Sequence, residues 1–169
     1  AAFLIKYDSN GNVLWHKTIG GSDHAVIYSL AIDSNDKIYA AGYTDSAFNG
    51  QSKVGSRDMF IVSYDSDGTY NTSFNSSGTR FYNFSKENTR ANGVPGTIIE
   101  IQPRDMIIGK NELDQECIFV TGHRKGQINI NNRNTIHSNT ENLDIFISRI
   151  NLDSTMEQTK AYGLGYFDV

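Results

Sequence analysis

Phe3-Leu4-Ile5-Lys6-Tyr7-Asp8-Ser9-Asn10-Gly11 returns later in the chain as Phe60-Ile61-Val62-Ser63-Tyr64-Asp65-Ser66-Asp67-Gly68. It returns again, degraded, as Phe146-Ile147-Ser148-Arg149-Ile150-Asn151. A second element repeats as well: Ile38-Tyr39-Ala40-Ala41-Gly42-Tyr43-Thr44 matches Ile118-Phe119-Val120-Thr121-Gly122-His123-Arg124. The order is the same each time: an Ile-Tyr/Phe-x-x-Gly segment, a loop, then the Phe-x-x-x-Tyr-Asp segment. A repeating unit of about 50 residues, lengthened by insertions at loops, is the size of a propeller blade. The span from Phe60 to Gly122 is longer than that from Phe3 to Gly42, which puts an insertion in the polar stretch between Asn71 and Asn111.

Each unit reads as strands. Phe3, Ile5 and Tyr7 alternate with Leu4, Lys6 and Asp8, and Phe60, Val62 and Tyr64 alternate with Ile61, Ser63 and Asp65. Because each run opens apolar on both faces, it predicts a sheet covered on both sides. Asn10-Gly11 between two strand patterns predicts a hairpin with Gly11 at positive φ, and Asp33-Ser34-Asn35-Asp36 predicts another. Gly42 and Gly122 sit inside strands, where glycine points to a bulge or the close approach of another backbone. No apolar period of helical type is sustained. The expected meanders are Leu30 to Asp33, Lys37 to Thr44, Met59 to Asp65 and Ser73-Phe74, then Met106 to Gly109, Cys117 to Arg124, Ile145 to Ile150 and Met156 to Ala161.

The stretches from Ala2 to Trp15, Ile19 to Ser22, Ser29 to Asp33 and Ile38 to Thr44 resemble the SBBP family of bacterial β-propeller repeats. The resemblance covers residues 2 to 74 well, is weaker from Cys117 to Ile150, and lapses between Asn75 and Glu116. It implies a structural repeat of bacterial surface, secreted or periplasmic proteins, and it transfers no catalytic residues. Fold alone does not supply function. The expected fold is therefore all-β, with β-propeller-like blades of antiparallel four-stranded meanders in an incomplete ring of about two and a half blades, where a closed ring takes about 4–8. Residues 1–169 form a single repeat domain: half a blade in 1–24, a blade in 25–75, a blade with an insertion in 76–165, and the start of a further strand or a tail in 166–169.

Composition narrows the function classes. The chain of 169 residues has a formal net charge of −4, with nine Tyr, nine Phe and one Trp. Lys6, Lys17, Lys37, Lys53 and Arg57 are scattered singly. No basic stripe is present to neutralise phosphates or to hold an anionic membrane, so no nucleic-acid partner is expected. No stretch approaches the roughly 18 apolar residues of a membrane helix, so no membrane insertion is expected either. Cys117 is the single cysteine and lies in an apolar strand pattern, which fits a small buried residue rather than a reactive thiol.

A search for chemistry ends without catalytic, cofactor-binding or metal residues. The turns at Asp8, Asp33 and Asp65 lack the ligand spacing of a calcium loop, and Asx-type turns account for them. His16, His24, His123 and His137 show no zinc-ligand spacing. Ser29 and Ser63 lie in strand patterns rather than in a nucleophile elbow. Glu87, Glu100, Glu112 and Glu116 are dispersed. Asn71, Asn75 and Asn83 head formal glycosylation sequons, which a chain rich in Asn, Ser and Thr produces by chance. The expected protein is not an enzyme and uses no cofactor. It is a structural, protein-interaction scaffold of a bacterial extracytoplasmic assembly, part of a longer propeller or of a multi-subunit filament or sheath. Its partners are other chains or further blades of the same chain, contacted through the long loops Thr44 to Asp58 and Arg124 to Asp144. The alternative is a glycan-acting propeller hydrolase or lyase, or a carbohydrate-binding module. Leu4, Val13 and Trp15 at one end, and Ile147, Tyr162 and Phe167 at the other, are the expected apolar end faces, and the segment is not expected to be an autonomous monomer.

Overall fold

A computed structural model describes residues 1–82, 98–126 and 143–162. The elements are β1 (Ala2–Tyr7), β2 (Val13–Ile19), β3 (Ala25–Ile32), β4 (Ile38–Thr44), β5 (Asp58–Tyr64), β6 (Thr79–Tyr82), β7 (Ile98–Lys110), β8 (Glu116–Gly126), β9 (Leu143–Asn151) and β10 (Met156–Tyr162). The fold is all-β, with no helix among the described residues. β1 and β2 make a two-stranded sheet, and two four-stranded sheets run in sequence order, β3-β4-β5-β6 and β7-β8-β9-β10. Every strand pairing within these sheets is antiparallel.

The three sheets stack face to face. Ala40, Phe60, Val62 and Tyr64 on one face of the central sheet pack with Leu4 and Ile19 of the hairpin. Tyr39, Ala41, Met59 and Ile61 on its other face pack with Ile118, Val120, Phe146 and Ile150 of the third sheet. β4 and β5 are thus covered on both sides, as their unbroken apolar runs require.

One turn recurs at one end of the sheets. In Asp8-Ser9-Asn10-Gly11-Asn12 the first amide donates to the last carbonyl at 2.9 Å, and the Gly11 amide donates back to the Asp8 carbonyl at 3.1 Å. The same pair of bonds closes the turns starting at Asp33, Asp65, Asn111 and Asn151. The fourth residue takes positive φ each time, as Gly11 (85°), Asp36 (58°), Gly68 (87°), Asp114 (60°) and Ser154 (68°). Asp8 and Asp33 accept amide hydrogens within their turns, as expected. Asp65 does not. Its carboxylate takes the Lys37 ammonium, and Asp67 accepts the Thr69 amide instead.

Gly42 and Gly122 face bulges. Register shifts between Ile27 and Ser29, and between Pro103 and Asp105, leave Tyr28 and Arg104 as the extra residues opposite these glycines. Both sequence expectations, a bulge and a close backbone, hold at both sites.

The outer strand of the central sheet departs from the expected Ser73-Phe74. Those residues lie in a turn, and the strand is Thr79–Tyr82. Tyr70 bridges to Tyr64, after which the chain leaves the ladder and returns at Gly78, whose carbonyl accepts the Ser63 amide at 2.8 Å. The excursion is anchored by Phe74, buried with its ring edge-on to Tyr39 at 5.7 Å. An aromatic in a strand-like context therefore plugs the core from a loop. The expected second meander is present, with its first strand beginning earlier, at Ile98.

Candidate functional site

Tight turns close the sheets at one end, so the longer connections gather at the other. There β2 leads into β3, the segment between Thr44 and Asp58 joins β4 to β5, and β8 hands over to β9, with Lys125 paired to Leu143. The expected loop Arg124 to Asp144 lies mostly outside the described residues, as do His137, Glu87, Asn83, Phe84 and Phe167.

The Thr44–Asp58 loop is internally tied. Phe48 is buried, edge-on to Phe60 at 5.1 Å and tilted on Phe81 at 4.9 Å. Thr44 Oγ1 donates to the Ser46 carbonyl, and the Lys53 ammonium donates to the Gly55 and Ser56 carbonyls. The fully buried Asp58 carboxylate accepts the Val54 and Gly55 amides at 2.7 and 2.9 Å. Its charge is thus matched by amide donors, as burial demands.

Arg57 is the centre of the polar cluster at this end. Its Nε donates to Asp45 Oδ1 at 2.9 Å, its second arm donates to the Glu100 carboxylate, and its plane lies 4.4 Å over the Tyr43 ring. Its backbone carbonyl accepts the Ile101 amide at 3.0 Å. One residue therefore joins the central sheet to β7 through both side chain and backbone. The Asp45 hydrogen bond foremost, then the Glu100 charge, raises the Arg57 pKa further against the cost of its partial burial. A little farther along β7, Arg104 lies 4.8 Å over the Tyr28 ring and donates to His123 Nδ1 at 3.3 Å. Burial first, and then the Arg104 charge, lowers the His123 pKa. Ser29 Oγ donates to Asp105 Oδ1 at 2.9 Å and accepts the Met106 amide at 3.1 Å.

No family model matches the chain, and no curated protein matches it.

The site's chemistry rests on its geometry alone. Asp23, His24 and Asp45 bring ligand atoms within 4.8 Å of one another. A cation there would share Asp45 with Arg57 and meet the guanidinium charge, and His24 is largely exposed, so the trio fits a metal poorly. His16 stands in β2 and His123 in β8, and neither joins His24. The carboxylates are spread over separate tasks. Glu100 holds Arg57, Glu116 at the turn end of β8 accepts the Ser34 hydroxyl at 2.7 Å, and the exposed Glu112 pairs with Arg149 at 2.5 Å. Ser63 Oγ accepts the Asn71 side-chain amide at 3.0 Å, which commits that sequon asparagine to the fold. Cys117 is fully buried in β8.

Sequence reading missed Arg57 with Asp45 and Glu100. Asp45 and Arg57 flank one loop, an arrangement visible in the sequence. Glu100 lies where the repeat lapses, so its partnership had no pattern to announce it.

Proposed function

We infer that this chain is a non-catalytic structural and protein-interaction scaffold, built of propeller-like blades of the SBBP type and working in a bacterial surface, secreted or periplasmic assembly. The observation that carries this reading is the use of the charged groups at the loop end. Asp45, Arg57, Glu100 and Arg104 are engaged with one another or with aromatic rings across the seam between two sheets. Groups so committed hold sheets together, whereas catalytic acids and bases need an open face toward substrate. The stacking of sheets with repeated Gly-Phe pairs and repeated turns supports the blade reading, and neighbouring chains or further blades are the natural partners of such a stack.

The test opposes a scaffold to a glycan-acting enzyme. The full chain is incubated with a panel of aryl glycosides and uronate polysaccharides, and Glu100→Gln is measured alongside. The scaffold reading expects no turnover and a lowered unfolding midpoint for Glu100→Gln. Turnover by the parent that Glu100→Gln or Asp45→Asn abolishes would overturn it.

A further inference from the structure

The repeat fixes which residue of one sheet stands for which residue of the next. Tyr39, Ala41, Met59 and Ile61 form the face of the central sheet that meets the third sheet, and each is buried there. Their counterparts in the third sheet are Phe119, Thr121, Ile145 and Ile147. These lie on its outer face, with Ile145 and Ile147 59% and 43% exposed. The opposite end mirrors this. Phe60, Val62 and Tyr64 are fully buried on the central face that meets the hairpin. Their counterparts Phe3, Ile5 and Tyr7 lie on the outer face of the hairpin, with Phe3 74% and Tyr7 55% exposed.

The two outer faces are therefore not alike. One is the forward face of a repeat and the other is the rear face. Forward meets rear twice inside the molecule, where Leu4 packs toward Phe60 and Ile61 packs toward Phe146. Residues whose repeat counterparts are buried in a seam are here left at a surface, which offers that seam a continuation. A soluble repeat array that ends at its last sheet normally carries a polar outer face there, and an exposed apolar face marks a contact.

Resting on the scaffold reading, we propose that a second copy of this chain docks head to tail, the Ile145–Ile147 face of one copy against the Phe3–Tyr7 face of the next. Such a contact is heterologous, so it propagates into a closed ring or an open filament and does not stop at a two-fold dimer.

Sedimentation velocity of the full chain across a concentration series tests this, with Phe3→Lys and Ile147→Lys as the two blocked forms. Both positions are exposed, and circular dichroism checks that each variant keeps its strands. The parent is expected to grow beyond a dimer as concentration rises. Each variant alone is expected to be monomeric, because every contact needs one intact face of each kind. An equal mixture of the two variants supplies one good face of each kind and should give a 1:1 dimer that grows no further. A monomeric parent overturns the proposal, as does a variant that still associates or a mixture that stays monomeric. Any of these leaves the non-catalytic reading standing, since that is decided by the glycan panel.

Discussion

Phe60 stands directly across from Gly42 in the β4–β5 ladder, and a Cβ built on Gly42 would lie 2.9 Å from its ring edge and 2.0 Å from the Val26 carbonyl oxygen. The space a side chain would fill is taken by a ring and by the bulged backbone of β3. Phe146 bears the same relation to Gly122, where the Gln102 carbonyl oxygen would lie 2.1 Å away. Gly42→Ala and Gly122→Ala are each expected to cost about 1–3 kcal/mol or more, because backbone cannot yield as a side chain can. Urea unfolding measures this, and a cost near zero would show that the bulge relaxes.

Arg57 couples the central sheet to β7 through Glu100. Arg57→Met, Glu100→Gln and the double variant close a thermodynamic cycle. The expected coupling lies toward the lower end of about 0.5–3 kcal/mol, since the pair keeps some contact with solvent and is screened. The coupling should weaken in high salt. Additive single variants would show that the backbone bond to Ile101, not the ion pair, holds the seam.

The parts of this fold legible in the sequence are those set by local chemistry. Gly11 and Gly68 announced their turns, because positive φ there suits glycine best. Strand β5 followed from a run that opens apolar on both faces, and β4, β8 and β9 from the recurrence of the same segments along the chain. What was not legible depends on distant partners. Phe74 reads as strand until the Tyr39 ring it packs against is known. Leu4 and Trp15 were expected on an outer face, yet Leu4 is buried against the central sheet and Trp15 packs near Tyr64 at 6.1 Å. Alternation separates the two faces of a strand, but only the neighbouring sheet decides which one is covered. Val13 and Ile147 were expected at the outer faces and are exposed there, while Tyr162 and Phe167 lie outside the described side chains.

Asp8 gives the fold a pH dependence of defined sign. Its carboxylate accepts the Asn12 side-chain amide at 2.9 Å and the Asn12 and Asn10 backbone amides at 2.8 and 2.9 Å. These bonds, the Asn12 side chain foremost, lower its pKa below 3.8. The unfolded chain therefore takes up a proton at this site before the folded one does. The stabilisation is full above 3.8 and is lost as pH falls through the lower folded value. Asp8→Asn keeps an acceptor oxygen and removes the charge. The gap in thermal midpoint between parent and Asp8→Asn should be largest at neutral pH and shrink at pH values below 3.8. A gap that is constant across that range would assign the difference to geometry instead of charge.

Tyr82 ties the central sheet to the far turn of the third. Its hydroxyl donates to the Ser154 carbonyl at 2.9 Å from a buried position, and that burial raises its pKa. Tyr82→Phe keeps the ring in the core and leaves the carbonyl without this donor, at an expected cost of about 1–3 kcal/mol. Ser154 has φ of 68°, a conformation that glycine holds more easily than serine. Ser154→Gly alone should therefore raise stability by up to about 1 kcal/mol. Because the bond is made to backbone, Tyr82→Phe should cost as much in the Ser154→Gly background as in the parent. Thermal and urea unfolding of the two single variants and the double variant measure all three quantities. Equal stability of parent and Tyr82→Phe would mean that apolar packing alone docks these two sheets. A Tyr82→Phe cost that vanishes in the Ser154→Gly background would mean that the serine side chain, not its carbonyl, is what Tyr82 holds.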